Sequence, residues 1–218
     1  MPFSSVLGAS SAIKPGVVTS STRPSTPYVG QLIFETDTNR LSVWNGSSWI
    51  YMVDADTPPG LELVKTQTIG TAISSVQVTS AFSSTYDVYK VVVSGGSTSA
   101  ICNWRLQLGS TTTGYYYAGR YNDYSGAGTG VPQGSNIAYW QVGNGSTLGN
   151  YLNCEITNPN TADETTFQAI YADVLTNGSQ NITAGFLNNT TQYTDFTIFP
   201  STGTATGGTI RVYGYRNS

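Results

Sequence analysis

Between residues 101 and 108 the side chains alternate without a break. Cys102, Trp104, Leu106 and Leu108 face one way, and Asn103, Arg105 and Gln107 face the other. A period of two over such a run sets one face of an extended strand on a core and the other in water, as in an antiparallel sheet. Further short runs lie near 61–69, 72–79, 86–94, 115–121, 137–142, 151–157, 166–175, 180–187, 194–199 and 208–215, parted by Gly, Ser, Asn and Thr clusters. No stretch carries the 3.6-residue period of a helix, and no internal repeat points to a β-helix or propeller. The expected class is all-β, with residues 61–218 forming an antiparallel β-sandwich of jelly-roll-like kind.

The composition agrees. Of 218 residues only 10% are charged, while 39% are hydrophobic and 12% aromatic, too apolar for a disordered chain. A net charge of −3 gives no basic stripe for releasing counterions, so nucleic acid is not the expected partner. No apolar run is long enough to span a bilayer, so no membrane insertion is expected. The opening Met1-Pro2-Phe3-Ser4-Ser5 has neither the basic nor the apolar part of a secretory signal. Synthesis in a cytoplasm is therefore expected, with any exterior reached by another route, of which release within an assembled particle is one.

Residues 1–27 hold no sustained period and are interrupted by Pro15, Gly16, Pro24 and Pro27. They read as an extended arm, either docked on a neighbour through Val6, Leu7, Ile13, Val17 and Val18 or left unordered. The next segment is more legible. Strand-like Gln31–Thr36, the turn Asp37-Thr38-Asn39-Arg40, strand-like Leu41–Trp44, the hairpin signal Asn45-Gly46 and strand-like Trp49–Met52 make a three-stranded β-meander. So small a sheet needs a surface to pack on, and self-association would supply one. Phe34, Trp44 and Trp49 are the residues expected to build that shared core. Asp54 to Gly60, with its Pro58-Pro59 pair, reads as a stiffened linker. The organisation is thus an assembly module over 1–53, a linker over 54–60 and the sandwich over 61–218.

The segment Arg23-Pro24-Ser25-Thr26-Pro27-Tyr28-Val29-Gly30-Gln31-Leu32-Ile33-Phe34-Glu35-Thr36-Asp37-Thr38-Asn39-Arg40, continuing through Trp44-Asn45-Gly46-Ser47-Ser48-Trp49, resembles a module of minor structural and fibre proteins of tailed bacteriophages, notably those of cyanobacteria and marine bacteria. The likeness covers residues 23–52. The closing Gly207–Asn217 run is similar to the last strand of β-rich terminal domains in such proteins. The resemblance implies a homotrimer located in the virion, contacting other virion proteins through residues 1–53 and projecting its C-terminal domain.

The chain contains no histidine, which removes Ser-His-Asp and Cys-His nucleophilic sites and the commonest metal ligand. No cofactor and no metal are expected. The glycine clusters at 94–97 and 126–130 lack the strand-to-helix setting of a phosphate loop. Asp54 and Asp56 do not continue into a calcium loop. Asp123, Glu155, Asp163, Glu164 and Asp173 are the carboxylates available for glycan hydrolysis, and neighbouring Asp163 and Glu164 read better as solvated loop charge. Cys102 and Cys154 allow a disulfide, a metal half-site or two buried thiols, and the alternation around Cys102 favours the last.

The tyrosine-rich run Tyr115-Tyr116-Tyr117-Ala118-Gly119-Arg120-Tyr121-Asn122-Asp123-Tyr124 is the candidate for contact with a host surface glycan. Tyrosine offers a flat apolar face and a polar tip at low entropic cost, and Arg120 and Asp123 carry groups that orient hydroxyls. Against this, the same tyrosines suit a strand and a subunit interface. The reading that follows is a non-enzymatic virion protein acting as a short fibre or tip at the host surface. Its rivals are a decoration or cement protein of the capsid or tail and, more remotely, a glycan-cleaving spike.

Overall fold

A computed structural model describes residues 15–53, 60–126, 128–173 and 178–216. The arm residues before Pro15, including Val6, Leu7 and Ile13, the linker residues 54–59 with Asp54 and Asp56, and Asn217 lie outside the described residues. Every regular element among the described residues is a strand. The chain divides into two units, Met1–Pro59 and Gly60–Ser218, and the division falls within the expected linker.

The first unit is a four-stranded sheet, β1 (Gly16–Val18), β2 (Leu32–Glu35), β3 (Arg40–Trp44) and β4 (Trp49–Val53), in that order. The three-stranded meander is present as expected. The difference is β1, which runs parallel to β2, pairing Val17 with Phe34. A three-residue strand beside a proline leaves no readable period, because its pairing is set by tertiary contact rather than local pattern. At the Asn45-Gly46 hairpin Gly46 takes a φ of 104°. The Asn45 Oδ1 accepts from the backbone N–H of Ser47 at 2.9 Å and of Ser48 at 2.8 Å, closing the turn from the side chain.

The second unit contains β5 (Leu61–Thr68), β6 (Val76–Val78), β7 (Val88–Ser94), β8 (Ser97–Thr98), β9 (Cys102–Leu108), β10 (Tyr115–Asp123), β11 (Thr129–Gly130), β12 (Gln133–Ile137) and β13 (Trp140–Ser146). It continues with β14 (Gly149–Thr157), β15 (Thr165–Asp173), β16 (Ser179–Leu187), β17 (Phe196–Pro200), β18 (Ala205–Thr206) and β19 (Thr209–Tyr215). All of its strand pairings are antiparallel. The unit is an antiparallel β-sandwich, as the alternating runs predict.

Strand β14 is where its two sheets meet. Leu152 pairs with Gly143 of β13 and with Val93 of β7, so those strands hold opposite edges of β14. Beyond Leu152 the edge given to β13 passes to β15, with Cys154 opposite Ala169. One layer therefore runs β5-β19-β7-β14-β15-β16-β10 and the other β13-β9-β17-β6. The strands β15, β16 and β10 extend the first layer as a wing, edged by β11 and β12.

Tyr89, Val91 and Val93 on one side face a core shared with Trp104, Leu106, Leu108, Phe196 and Ile198 on the other, and all are buried. Phe82 joins the layers, with its ring 4.9 Å from Tyr89 and 5.5 Å from Phe196. The Gly95-Gly96 pair is a turn packed on backbone: a Cβ on Gly96 would stand 2.0 Å from the Gly207 carbonyl oxygen. The cysteines are two separate buried thiols, as the alternation favours, and burial pushes the Cys154 thiol up.

Candidate functional site

The two faces of the first unit's sheet differ sharply. Strand alternation puts Ile33, Glu35, Ser42, Trp44, Trp49 and Tyr51 on one face. There Ile33, Glu35 and Ser42 are fully buried. Arg23, from the loop that follows β1, donates from Nε to Glu35 Oε1 at 2.6 Å and from Nη2 to the Tyr51 hydroxyl at 3.3 Å. Thr38 Oγ1 donates to the second Glu35 oxygen at 2.9 Å. The Arg23 guanidinium, and after it the Thr38 hydroxyl, hold the Glu35 carboxyl below the usual carboxylate range.

The sign of the pH dependence follows from that direction. A lowered carboxyl stabilises the folded unit fully above its unfolded pKa, about 4.3, and that contribution fades as pH falls through the lower folded value. Protection of peptides covering residues 32–44, taken against the intrinsic exchange rate at each pH, is expected to fall below roughly pH 4. In Arg23→Met, exchange there should already be fast at pH 7, because a buried carboxylate left without its partner costs about 3 kcal/mol. Equal protection of both proteins at pH 7 would mean that the pair does not secure the unit.

The opposite face carries Val17, Leu32, Phe34, Leu41, Val43 and Ile50, with Phe34 paired to both Val17 and Leu41 and Val43 paired to both Leu32 and Ile50. None is buried. Val17 is 69% exposed and Ile50 46%, while the other four are half-buried. This corrects the expected trio. Phe34 lies on this apolar face, whereas Trp44 and Trp49 meet on the other, with centroids 5.5 Å apart. The two hairpins fix this result, since Phe34 faces Leu41 across one turn and Trp44 faces Trp49 across the other. Val17 belongs to the arm residues expected to dock on a neighbour, and Leu32, Leu41, Val43 and Ile50 join it and Phe34 because strand parity, not ring size, decides the face.

The tyrosine run is likewise divided by alternation along β10. Tyr115 is not a surface residue but a core one: it is fully buried, and its hydroxyl accepts from the Leu108 backbone N–H at 2.7 Å. Burial pushes its phenol pKa up. Tyr117 is half-buried on the same side. Tyr121 is on that side too, near the far end of the strand, and is 37% exposed. Tyr116 and Arg120 point to the outer face of the wing, where Tyr116 stacks on Phe186 at 5.0 Å. Asp123 accepts from Ser125 Oγ at 2.8 Å on the side opposite to Arg120, and Tyr124 stands exposed beyond the strand. Arg120 and Asp123 therefore do not converge on one ligand.

Among the described residues the candidate carboxylates stand in separate surroundings. Asp163 and Glu164 are exposed in the turn before β15. Glu155 accepts from the Tyr215 hydroxyl and from Gln168 Nε2, with Lys90 Nζ at 3.9 Å. These partners, Tyr215 first, hold its pKa down, opposite to what a general acid requires. The side chain of Asp173 lies outside the described residues. Among the described residues no group of three His, Cys, Asp or Glu is placed to hold a metal ion. No protein-family model, curated protein or solved structure matches the chain.

Proposed function

We propose that this chain is a non-enzymatic structural protein of a bacteriophage virion, assembled as a homotrimer and serving as a short fibre or tip at the host surface. The observation that carries the self-association is the apolar sheet face of the first unit, in which six adjacent side chains are all hydrophobic and all retain exposure. Covering that face contributes roughly 5 kcal/mol per protomer at ~25 cal/mol per Å². A contiguous apolar sheet face is a feature of interaction surfaces rather than of free ones. Three copies related by a closed rotation would each cover it and leave no edge for open-ended growth.

The likeness of residues 23–52 to phage fibre modules supports the same assignment. So does the strand order of the second unit. We read β5, β6, β7, β9, β13, β14, β17 and β19 as strands A to H of a jelly roll, giving A-H-C-F and B-G-D-E layers. Strands β10 to β12 and β15 with β16 are then two insertions that pair to make the wing.

Antibodies raised against the purified protein test the placement on particles viewed by electron microscopy. Label at the tail or at its projecting ends is expected. Label spread over the capsid would replace the fibre by a decoration role, and particles without label would overturn both.

A further inference from the structure

The wing and the second layer enclose a cleft that the tyrosine run alone does not reveal. Its volume is about 640 Å³, and its walls include Tyr121 and Asn181 from the wing, Asn103, Gln141 and Asn144 from the second layer, and Val131 at the rim. Among the described residues no charged side chain lines it. We propose that this cleft is a binding site for a neutral oligosaccharide, a deepening that rests on the host-contact reading above.

Three features carry the assignment. The first is chemistry: four carboxamides supply both donors and acceptors, the pairing that vicinal hydroxyls of a sugar require, with no ion to select a charged ligand. The second is a fixed ring. Tyr121 pairs with Gly130, and a Cβ at that glycine would stand 2.2 Å from the ring, so the aromatic plane lies against bare backbone. A ring held this way is a stacking platform for the C–H face of a pyranose, at little entropic cost. The third is preorganisation of the floor. Gln141 donates from Nε2 to the Tyr171 hydroxyl at 3.2 Å, and Asn181 from Nδ2 to Ser179 Oγ at 2.8 Å. Thr183 Oγ1 donates to the Gln141 carbonyl at 2.8 Å, tying β16 to β13 beneath the opening. The volume lies within the range of ligand sites, roughly 300–1,000 Å³.

The test presents the full chain to an array of neutral and anionic oligosaccharides at low and high salt. Binding confined to neutral glycans is expected, with less than a twofold change between 50 and 500 mM NaCl, since no charge pair is screened. Tyr121→Leu, which still covers Gly130, and Asn103→Ala should each weaken binding at least tenfold. Ile170→Ser, at an exposed position on the outer face of the wing that Arg120 shares, should leave it unchanged. Side-chain amide resonances of Asn and Gln should shift on adding the bound glycan to wild type. Preference for anionic glycans, loss of binding in Ile170→Ser but not in Tyr121→Leu, or no neutral glycan bound would each overturn the site. If the protein adsorbs to host cells yet binds no neutral glycan, the cleft proposal fails while host contact stands. Glycan binding without adsorption to cells would leave the cleft and remove the host-contact role.

Discussion

Replacing Val17 and Ile50 together with aspartate is expected to convert the assembled protein into a monomer. By light scattering the mass should fall from about three times 23.2 kDa to 23.2 kDa at micromolar concentration. Val17 is largely and Ile50 nearly half open to solvent, so the folded protomer loses little. In the assembly each aspartate would be withdrawn from water without a partner, at a cost of several kcal/mol per ion. Aspartate is the right probe because a lysine would reach past the apolar rim and keep its charge wet. Two such charges per protomer exceed the roughly 5 kcal/mol that covering the face supplies. Tyr28→Asp serves as the control, since Tyr28 is equally exposed but belongs to the loop after β1 rather than to the sheet face. A trimer that survives the double change, or a wild-type protein that is already monomeric, would separate the apolar face from assembly.

The parity argument behind that experiment was available in the sequence. Asn45-Gly46 sets Trp44 opposite Trp49, and Asp37-Thr38-Asn39 sets Glu35 opposite Arg40 and Phe34 opposite Leu41. Counting by twos from those two turns places Phe34 and Trp44 on opposite faces. Other features were beyond local pattern. The alternation of Tyr115 to Asp123 shows that the run has two sides, but which side is the core depends on β13 and β16, which begin 17 and 56 residues after β10 ends. The cleft is less legible still, because Asn103 and Asn144 are the outward residues of ordinary strands and acquire a role only when the wing stands beside them. The long strands, by contrast, were readable because each carries its own burial period: Cys102–Leu108, β14 from Asn150 onward and Thr209–Tyr215 all alternate between buried and accessible side chains.

Trp140→Ala is expected to lower the melting temperature of the second unit by about 10–15 °C and to abolish glycan binding together with it. Trp140 is fully buried at the junction of the wing and the second layer. Its ring stacks on Phe167 of β15 at 4.6 Å and meets Tyr115 of β10 edge-on at 5.1 Å. Its Nε1 donates to the Phe186 carbonyl of β16 at 3.2 Å. One side chain on β13 thus touches all three wing strands. Truncation removes the ring, leaves a cavity among Tyr115 and Phe167, and strips a hydrogen bond from β16, at a combined cost of about 4–5 kcal/mol. That is a large part of the 5–15 kcal/mol typical of a domain. Trp140→Phe keeps the stacking and loses the hydrogen bond, so a cost of about 1–2 kcal/mol and retained binding are expected. Thermal unfolding followed by circular dichroism, with glycan binding measured at a temperature where each variant is folded, distinguishes the roles. If Trp140→Ala stays within 3 °C of wild type and binds normally, the ring cluster is not what fixes the wing. If it is folded but does not bind, the cleft owes its shape to this junction, since Trp140 is not among the residues that line it.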